Sequence, residues 1–365
     1  MESSKNKQRK IIGYWMSEKK SQKLNWSEFA KVSRNHGFDL VKVDLNRPLE
    51  EQGPFTVIIH KLTDIIAQSL KGEKRACEII EHVENYIKQH PEVLIIDPLE
   101  NVKKLLDRFT SYRVIHDSDL HNIDVFTPPF VELTSNDIHV NLQTLKEAGV
   151  KFPFVCKPSV ANGTDCHNMA IVFNEKGLKD CQPPCVAHAF VNHNAVLYKL
   201  FIIGGEYHIV ERPSLKNFYP DPDRETIYFN SHDVSKSDSS SSLSVLDEDE
   251  SGEECPTKAD PATLGHIVEI ITAVLGMNLL GVDIVVENKT GRHAIIDINP
   301  YPGYDGYPNF FESLIRCIRS KVSLNQGLTR IFPSEEDSGF ETADSSDEKK
   351  RSPLLPVSKA HERQL

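Results

Sequence analysis

Apolar and polar residues follow two alternating periods over the first hundred positions. Strand-like runs with a two-residue period are separated by amphipathic segments with a helical period, and Gly37 ends one of these segments. The strands are predicted over residues 10–16, 39–45, 55–62 and 93–97. Strands separated by helices predict a parallel, Rossmann-like sheet, in which binding residues lie at the carboxyl ends of the strands. The region has no G-x-G-x-x-G motif, so a dinucleotide is not predicted.

From about residue 120 the pattern changes to short strands joined by tight turns. The pair Gly204-Gly205 between two apolar runs predicts a two-residue hairpin. A helical pattern over 263–276 precedes a second hairpin over 279–299. The other strands are predicted over residues 152–158, 167–173, 185–190, 195–203 and 207–214. Because hairpins join antiparallel strands, this part of the chain predicts antiparallel sheets.

The composition favours a soluble, globular protein of two or three structural units. The chain has 365 residues, of which 39% are hydrophobic and 26% are charged, and no apolar run is long enough to cross a bilayer. Seven cysteines without regular spacing are typical of reduced thiols in a cytosolic or nuclear protein. Cys181 and Cys185 could bind a metal, but no matching ligand pair follows, so we expect them to be buried as small hydrophobic side chains.

The net charge of −11 is concentrated in two segments. Residues 233–260 contain nine acids and two lysines, and residues 334–348 contain seven acids and no base. Each segment has a net charge of −7, which leaves +3 for the rest of the chain. We predict that residues 236–258 form a mobile surface loop and that the tail, residues 331–365, is disordered. The acidity therefore says little about the partners of the folded body.

Two aspartates and an asparagine lie in the apolar strands of the last hairpin. Residues 288–292 suit a three-residue loop with Gly291 in the left-handed conformation, and this turn places Asp283 opposite Asp297. Asn299 lies two residues further on and shares their face. Oxygen ligands this close together indicate Mg²⁺ or Ca²⁺, and of these Mg²⁺ leaves positions open to phosphate oxygens. The alternative is a solvated strand face, which is the better interpretation of a single aspartate.

Two lysines also lie within apolar strands. Lys199 interrupts the run 195–203, where burial of its charge without a partner anion costs free energy. Lys157 ends the strand 152–158 and precedes a loop of small polar residues that includes Gly163. Either lysine alone could extend its charge to the surface. With the carboxylate hairpin, the two lysines predict the cationic wall of a phosphate site, and the lack of a Walker A sequence excludes a P-loop protein.

These features resemble the ATP-grasp fold and, more narrowly, the inositol-tetrakisphosphate 1-kinase family, also known as the inositol-trisphosphate 5/6-kinases. The matching stretches are GYWMSEKK, VIIHKLTD, LLDR, FPFVCKP, GTDCHNMAIVF, NHNAVLYK, RPSLKNF, FNSHDVSK and INPYPGY. They extend from about Ile12 to Phe311 and leave out the acidic loop and the tail. The resemblance implies an α/β protein with an N-terminal Rossmann-like parallel sheet and two further α+β units whose antiparallel sheets enclose the nucleotide.

The resemblance also implies a division into domains. An inositol-phosphate-binding domain is expected over residues 1–115, and the central ATP-grasp subdomain over 116–215. The C-terminal ATP-grasp subdomain, with the metal site and the acidic loop, is expected over 216–330, before the tail 331–365.

Each candidate site residue has a role in this family. The residues that match ATP contacts are Arg108, Lys157, His188, Lys199, Ser214, Ser231 and Ser235. The residues that match contacts to the inositol polyphosphate are Lys20, Lys61, His167, Lys199, Asn299 and Gly303. Asp283, Asp297 and Asn299 match the ligands of Mg²⁺, of which two ions are expected. The expected catalytic residues are Lys199, His167 and Asp297.

The implied activity is phosphorylation of soluble inositol polyphosphates with ATP as the donor. The family phosphorylates inositol 1,3,4-trisphosphate at the 5- or 6-hydroxyl and inositol 3,4,5,6-tetrakisphosphate at the 1-hydroxyl. An isomerase-like exchange of phosphate between inositol phosphates is also expected. We expect a cytoplasmic or nuclear monomer with no nucleic-acid partner and no insertion into a membrane.

Three positions depart from the family pattern. Asn162 stands where some relatives have a histidine, and an amide cannot relay a proton. His167 is then the nearest alternative relay, and the identity of the general base stays open. His188 and Cys166 also differ from the commoner residues, although the backbone of His188 can still bind adenine.

Two other functions are compatible with the sequence. One is an ATP-grasp carboxylate ligase that forms an acyl phosphate, and the other is a non-catalytic inositol-phosphate sensor whose acidic loop recruits partners. Lys20, Lys61 and His167 favour a polyanionic substrate over a carboxylate. The complete metal set argues against a sensor.

Overall fold

The computed structural model describes residues 9–22, 24–163, 166–236, 241–248 and 258–331. The chain divides into two compact units, Met1–Asn325 and Gln326–Leu365. The helices are α1 (Glu18–Ser21), α2 (Trp26–Asn35), α3 (Thr63–Leu70), α4 (Lys74–Gln89), α5 (Leu99–Leu106), α6 (Arg108–His116), α7 (Ile138–Glu147), α8 (Ser231–Val234), α9 (Pro261–Leu275) and α10 (Phe310–Ile331). The strands are β1 (Lys10–Met16), β2 (Phe38–Lys42), β3 (Val57–Lys61), β4 (Leu94–Ile96), β5 (Val125–Phe126), β6 (Phe130–Leu133), β7 (Phe154–Pro158), β8 (Asn168–Val172), β9 (Cys185–Ala189), β10 (Val196–Ile203), β11 (Glu206–Pro213), β12 (Ile227–Asn230), β13 (Leu279–Val286) and β14 (His293–Pro300).

The first sheet is parallel and has the strand order β2-β1-β3-β4. Helix α2 begins where the side chain of Asn25 accepts a hydrogen bond from the backbone N–H of Glu28 at 3.2 Å. It ends just before Gly37, which has φ +83°, a conformation that favours glycine. Helix α4 is amphipathic and buries one face, formed by Ala76, Ile80, Val83 and Tyr86. The predicted Rossmann-like parallel sheet is confirmed.

The second and third sheets are mainly antiparallel. The second sheet has the order β11-β10-β13-β14-β5, and only its β14–β5 pair is parallel within the described strands. The third sheet has the order β12-β8-β7-β9-β6 and is antiparallel throughout these strands. Ile203 pairs with Glu206, which confirms the two-residue turn at Gly204-Gly205. The predicted α/β architecture is therefore confirmed.

Strands that follow one another along the chain near residue 215 belong to different sheets. Strands β10 and β11 belong with β13 and β14, whereas β12 crosses to pair with β8. All of these strands lie within the compact unit Met1–Asn325. The predicted limits 1–115, 116–215 and 216–330 therefore stay predictions.

The last hairpin places Asp283 opposite Asp297, as predicted, but its loop length and strand register differ from the prediction. The backbone N–H of Glu287 donates to the carbonyl of Arg292 at 2.9 Å, so the loop has four residues and the predicted three-residue turn is wrong. A β-bulge next to Asp283 and Ile284 shifts the register back by one. The bulged residue, Ile296, has no partner in the ladder of β13 and β14.

The largest cluster of buried apolar side chains joins the first sheet to the second. It brings Ile58 and Leu62 together with Leu200 and Val282, and the buried face of α9 belongs to it. Asp260 caps the start of helix α9, and its carboxylate accepts a hydrogen bond from the backbone N–H of Thr263 at 2.8 Å. The third sheet has a separate core, packed on α7, that contains Cys156, Cys181 and Cys185. The second sheet is thus packed on the first sheet, and a cavity lies between the second sheet and the third sheet.

Part of the acidic segment lies within the described residues. Ser242–Ser244 form a short 3₁₀ helix, and the carbonyl of Leu243 accepts a hydrogen bond from the backbone N–H of Lys216. Residues 237–240 and 249–257 of the predicted loop, and the predicted tail beyond residue 331, lie outside the described residues. Over the described ranges, no helix combines the length and the apolar character that a membrane span requires.

Candidate active site

A cavity of about 430 Å³ is lined by strands of the second and third sheets. Every predicted site residue except Lys20 and Lys61 contributes to its lining. The residues brought together are Arg108, Lys157, His167, His188, Lys199, Ser214, Ser231, Ser235, Asp283, Asp297, Asn299 and Gly303. The structure therefore places the predicted nucleotide and metal residues around one space, and the role of each residue stays a prediction.

A cation and two anions form a row across three adjacent strands of the second sheet. Lys199 on β10 pairs with Asp283 on β13, which pairs with Asp297 on β14. The Nζ atom of Lys199 lies 3.1 Å from Oδ1 of Asp283. Asn299 donates from Nδ2 to Oδ2 of Asp297 at 3.3 Å. The cross-strand register thus concentrates charge on the face that lines the cavity.

The two carboxyl groups differ in their electrostatic surroundings. Burial raises the pKa of Asp283, Lys199 opposes this shift, and the negative Asp297 adds to it. Burial acts in the same direction on Asp297, but Arg108 and Lys157 outweigh it and hold its pKa below the ordinary value. Asp297 is therefore ionised at neutral pH.

The donor set fits a magnesium ion that takes some of its ligands from phosphate. Among the described residues, Oδ1 of Asp283 is buried and has no aligned hydrogen-bond donor, although it forms the ion pair with Lys199. A buried polar atom without a hydrogen bond calls for a partner, and a cation is one that a carboxylate oxygen accepts. No group of three or more His, Cys, Asp or Glu side chains with metal-binding geometry occurs in the described ranges. Two carboxylates and one amide therefore supply only part of an octahedral shell.

Both predicted lysines point toward the cavity. Lys199 is only 27% exposed and its partner Asp283 only 14%. Asp283 raises the pKa of Lys199, and this effect outweighs burial. The buried Lys157 donates to the hydroxyl of Tyr112 and to the carbonyl of Ile296, each at 2.8 Å. Burial lowers the pKa of Lys157 to about 8, against the opposing charge of Asp297.

The carbonyl that holds Lys157 belongs to Ile296, the bulged residue of β14. Ile296 has no partner in the ladder, and its carbonyl accepts from Lys157 at 2.8 Å and from the Tyr112 hydroxyl at 3.1 Å. The irregularity in the strand therefore supplies the acceptor that holds a cavity lysine in place.

Arg108 and His188 form another part of the cavity wall. Arg108 begins α6 and donates to the carbonyl of Pro158 at 2.8 Å and to that of Cys166 at 3.1 Å. It thereby connects both ends of the loop between β7 and β8. His188 stacks on Tyr112 with ring centroids 4.7 Å apart, and burial with nearby Lys157 and Arg108 keeps its pKa far below the ordinary value. His188 is therefore neutral at physiological pH.

His167 lies beside a second histidine that the sequence did not single out. The ring centroids of His167 and His232 are 3.8 Å apart, and Nδ1 of His167 lies 3.2 Å from the hydroxyl of Ser231. Burial and then His232 lower the pKa of His167 to about 4. A neutral His167 can accept a hydrogen bond, but it is a weak base.

Lys20 and Lys61 lie outside the lining of the cavity. Lys20 forms an ion pair with Asp64 at 2.8 Å. Lys61 lies 5.4 Å from the ring centroid of Tyr301. The structure therefore brings the predicted inositol-phosphate residues together only in part: the cavity contains His167, Lys199, Asn299 and Gly303.

Several cavity residues were not predicted from the sequence. Arg212 on β11 donates to the carbonyl of Asp305 at 2.9 Å, and both residues line the cavity. His193 accepts from the hydroxyl of Ser214 through Nε2 at 2.7 Å. The one available signal was Arg212, a charged residue in a strand-like run. The others lie in loops, where periodicity carries no information.

Most of the chain matches one protein family. Residues 119–320 match a family model described as the inositol 1,3,4-trisphosphate 5/6-kinase ATP-grasp domain, and residues 11–102 match the pre-ATP-grasp domain of that family. The chain is 46% identical over 312 residues to inositol-tetrakisphosphate 1-kinase of Xenopus laevis, a match that covers 85% of this chain and 78% of the relative. It is 45% identical over 314 residues to the protein of that name from Danio rerio, with the same two coverages of 85% and 78%.

Two solved structures that match this architecture are distant in sequence. D-cycloserine synthetase DcsG matches with a TM-score of 0.54 and 12% identity, over 86% of this chain and 99% of that chain. The macrocyclase MdnC from Microcystis aeruginosa, bound to its precursor peptide, matches with a TM-score of 0.50 and 12% identity, over 85% of this chain and 99% of that chain. At this level of identity the likeness concerns the fold alone.

Proposed function

The chain belongs to the inositol 1,3,4-trisphosphate 5/6-kinase family, and from this premise we propose that it is an ATP-dependent kinase of inositol polyphosphates. The observation that carries the proposal is the row Lys199–Asp283–Asp297 beside Lys157 in one cavity. Two cations suit the phosphates of ATP, and two carboxylates suit the ion that accompanies them.

Lys157 and Lys199 bind the phosphates of ATP from two different sheets. Lys157 is held by Tyr112 and Ile296, and Lys199 is held by Asp283, so both ammonium groups are positioned before ATP arrives. Fixed charges aimed at the transferring group stabilise the transition state without reorganisation. Arg108, His188, Ser214, Ser231 and Ser235 provide further contacts to the nucleotide.

Asp283, Asp297 and Asn299 would hold Mg²⁺, with two ions in the complex with ATP. The ion supplies charge neutralisation at the transferring phosphoryl group. The Oδ1 atom of Asp283 is buried and has no aligned hydrogen-bond donor among the described residues, which supports this assignment.

The inositol substrate reacts through one of its hydroxyl groups. Its oxygen attacks the γ-phosphorus of ATP in line, the bond from phosphorus to the bridging oxygen of ADP breaks, and the hydroxyl proton is released. The neutral His167 accepts a hydrogen bond from this hydroxyl, since its pKa is about 4. A strong base is not required, because phosphoryl transfer depends mainly on position and charge neutralisation.

The proposal includes a substrate class and a setting. The substrates are inositol 1,3,4-trisphosphate, phosphorylated at the 5- or 6-hydroxyl, and inositol 3,4,5,6-tetrakisphosphate, phosphorylated at the 1-hydroxyl. Exchange of phosphate between inositol phosphates follows if ADP stays bound after transfer. The proposed setting is the cytoplasm or nucleus, which suits free thiols at all six cysteines among the described residues, and the proposed state is a monomer.

The test is transfer of labelled phosphate from ATP to a panel of inositol phosphates, with chromatographic identification of the products. Asp297→Asn and Lys199→Met are expected to lower kcat/KM by roughly 100-fold or more, because each removes a charge at the transferring group. Matched controls come from the exposed ion pair of Lys176 and Asp223, 3.3 Å apart. Lys176→Met and Asp223→Asn are expected to leave turnover unchanged.

Three results would overturn the proposal. Transfer to carboxylates alone would identify a ligase of the ATP-grasp fold. Tight binding of inositol phosphates without any turnover would identify a sensor. Wild-type turnover by Asp297→Asn would refute the role of the carboxylate pair.

A further inference from the structure

Asp64 contacts both helix α1, which follows β1 of the first sheet, and the loop between β7 and β8 of the third sheet. It lies in the first turn of α3, and its Oδ2 and Oδ1 atoms are 2.8 and 2.9 Å from Nζ of Lys20 in α1. Oδ1 also accepts a hydrogen bond from Nδ2 of Asn162 at 3.0 Å. Asn162 belongs to the loop between β7 and β8, next to Ala161, which lines the cavity. One carboxylate thus links the first sheet's unit to the loop at the cavity.

The contact between Asp64 and Lys20 differs from an ordinary surface ion pair. The two side chains are 37% and 29% exposed, and Lys20 also donates to the hydroxyl of Thr63 at 3.3 Å. Burial acts to raise the pKa of Asp64, but Lys20, Asn162 and Lys61 outweigh it and lower that pKa. The carboxylate therefore stays ionised at neutral pH and keeps its hydrogen bonds to Lys20 and Asn162.

A lysine that binds a phosphate group normally loses the rotational freedom of a long side chain when it does so. Restricting the side chain in advance reduces that loss, which is the general benefit of preorganisation. Lys20 is restricted by two acceptors on α3, and Asn162 is restricted by the same carboxylate. Both side chains are therefore ordered before a ligand binds.

We propose that Asp64 is a positioning residue for the inositol polyphosphate: it holds Lys20 and the Asn162 loop in place for the substrate phosphates. The inference rests on the proposed function, and it assigns to Asp64 a role that acts through Lys20 rather than through contact with the reacting atoms. It also gives Asn162 a task that an amide can perform, since its N–H₂ group is the donor to Asp64.

The first experiment measures binding of inositol 1,3,4-trisphosphate to the full-length protein by calorimetry, so that turnover is not needed. Asp64→Asn keeps the shape of the side chain but removes its charge and one acceptor oxygen. Dissociation constants are expected to rise about three- to ten-fold, as for loss of one charge-assisted contact, while the affinity for ATP changes less than about two-fold. The control Asp39→Asn removes a carboxylate that is 44% exposed and lies 3.2 Å from Arg9, and it should change neither constant.

The second experiment tests whether Asp64 acts through Lys20. Lys20→Met is expected to weaken binding of the inositol phosphate, and Asp64→Asn should add little in that background, since coupled residues are not additive. Unchanged or tighter binding by Asp64→Asn, an equal effect in both backgrounds, or an equal loss of ATP affinity would overturn the inference. A wild-type protein that binds the trisphosphate but transfers no phosphate would refute the kinase proposal. The binding constants of the Asp64 and Lys20 variants would still test the role of Asp64 in that case.

Discussion

Replacing Tyr112 by phenylalanine removes one hydroxyl group that contacts Lys157, a residue of the cavity wall. That hydroxyl accepts a hydrogen bond from Lys157 at 2.8 Å and donates to the carbonyl of Ile296 at 3.1 Å. The ring of Tyr112 stacks on His188, with centroids 4.7 Å apart, and phenylalanine preserves that contact. Tyr112 does not itself line the cavity, so any effect on ATP must pass through its neighbours Lys157 and Asp297, whose Oδ1 lies 3.4 Å from the same hydroxyl.

The expected magnitude follows from what Lys157 loses and keeps. A hydrogen bond to a charged group contributes about 1.5–3 kcal/mol, and the variant leaves Lys157 its bond to Ile296 at 2.8 Å. We therefore take the lower limit of this range for the free energy that is lost with the Tyr112 hydroxyl. A change of about 1.5 kcal/mol corresponds to roughly ten-fold weaker binding of ATP, because 1.4 kcal/mol is a factor of ten.

The assay is calorimetric titration of the wild type and Tyr112→Phe with ATP and Mg²⁺, in the absence of inositol phosphate. Ser118→Ala is the control, since it removes the hydrogen bond from a buried hydroxyl to the carbonyl of Ile115, at 2.6 Å, away from the cavity. Both variants should unfold at lower denaturant concentration, but only Tyr112→Phe should lose affinity for ATP. Wild-type affinity in Tyr112→Phe would show that the hydroxyl does not position Lys157.

Three further changes test the packing of the fold by urea unfolding. Asp97→Ala removes the acceptor of the backbone N–H groups of Asn278 and Leu279, each 2.8 Å away, and should lower the free energy of unfolding by about 3 kcal/mol. Burial lowers the pKa of His60 to about 4, so the unfolded chain binds a proton that the folded chain excludes. Stability should therefore fall as the pH falls from 6.5 toward 4, by about 2 kcal/mol at pH 5, and His60→Gln should flatten this slope. Gly276→Ala, at φ +59° after α9, should cost about 1 kcal/mol. Unchanged unfolding midpoints, or an unaltered pH profile for His60→Gln, would contradict these assignments.

The elements with a strong period could be predicted from the sequence, and the pairing of distant strands could not. The first sheet follows from alternating strands and helices, and the turn at Gly204-Gly205 follows from local residue chemistry. Strand β12 is four residues long, and its partner β8 is fixed only by tertiary packing. For the same reason the sequence pattern did not place β5 beside β14.

The candidate site divides in the same way. The carboxylates and both buried lysines could be found because charge in an apolar strand conflicts with burial unless a partner is present. Lys20 and Lys61 were identified only through family motifs, and their side chains lie outside the cavity lining. Tyr112 gave no signal, since a tyrosine in an amphipathic helix is an ordinary core residue.

The last hairpin shows how a correct geometric prediction can rest on two errors of opposite sign. The loop is one residue longer than the sequence suggested, which would have moved Asp297 away from Asp283, and the bulge at Ile296 restores the pairing. A bulge leaves no mark in a two-residue period, so the sequence could not reveal it. Its consequence is chemical as well as geometric, because the carbonyl of the bulged residue Ile296 accepts the hydrogen bond of Lys157 at 2.8 Å. The irregularity that aligns the two carboxylates therefore also holds the lysine that faces them, and the metal and phosphate parts of the site depend on the same residue of β14.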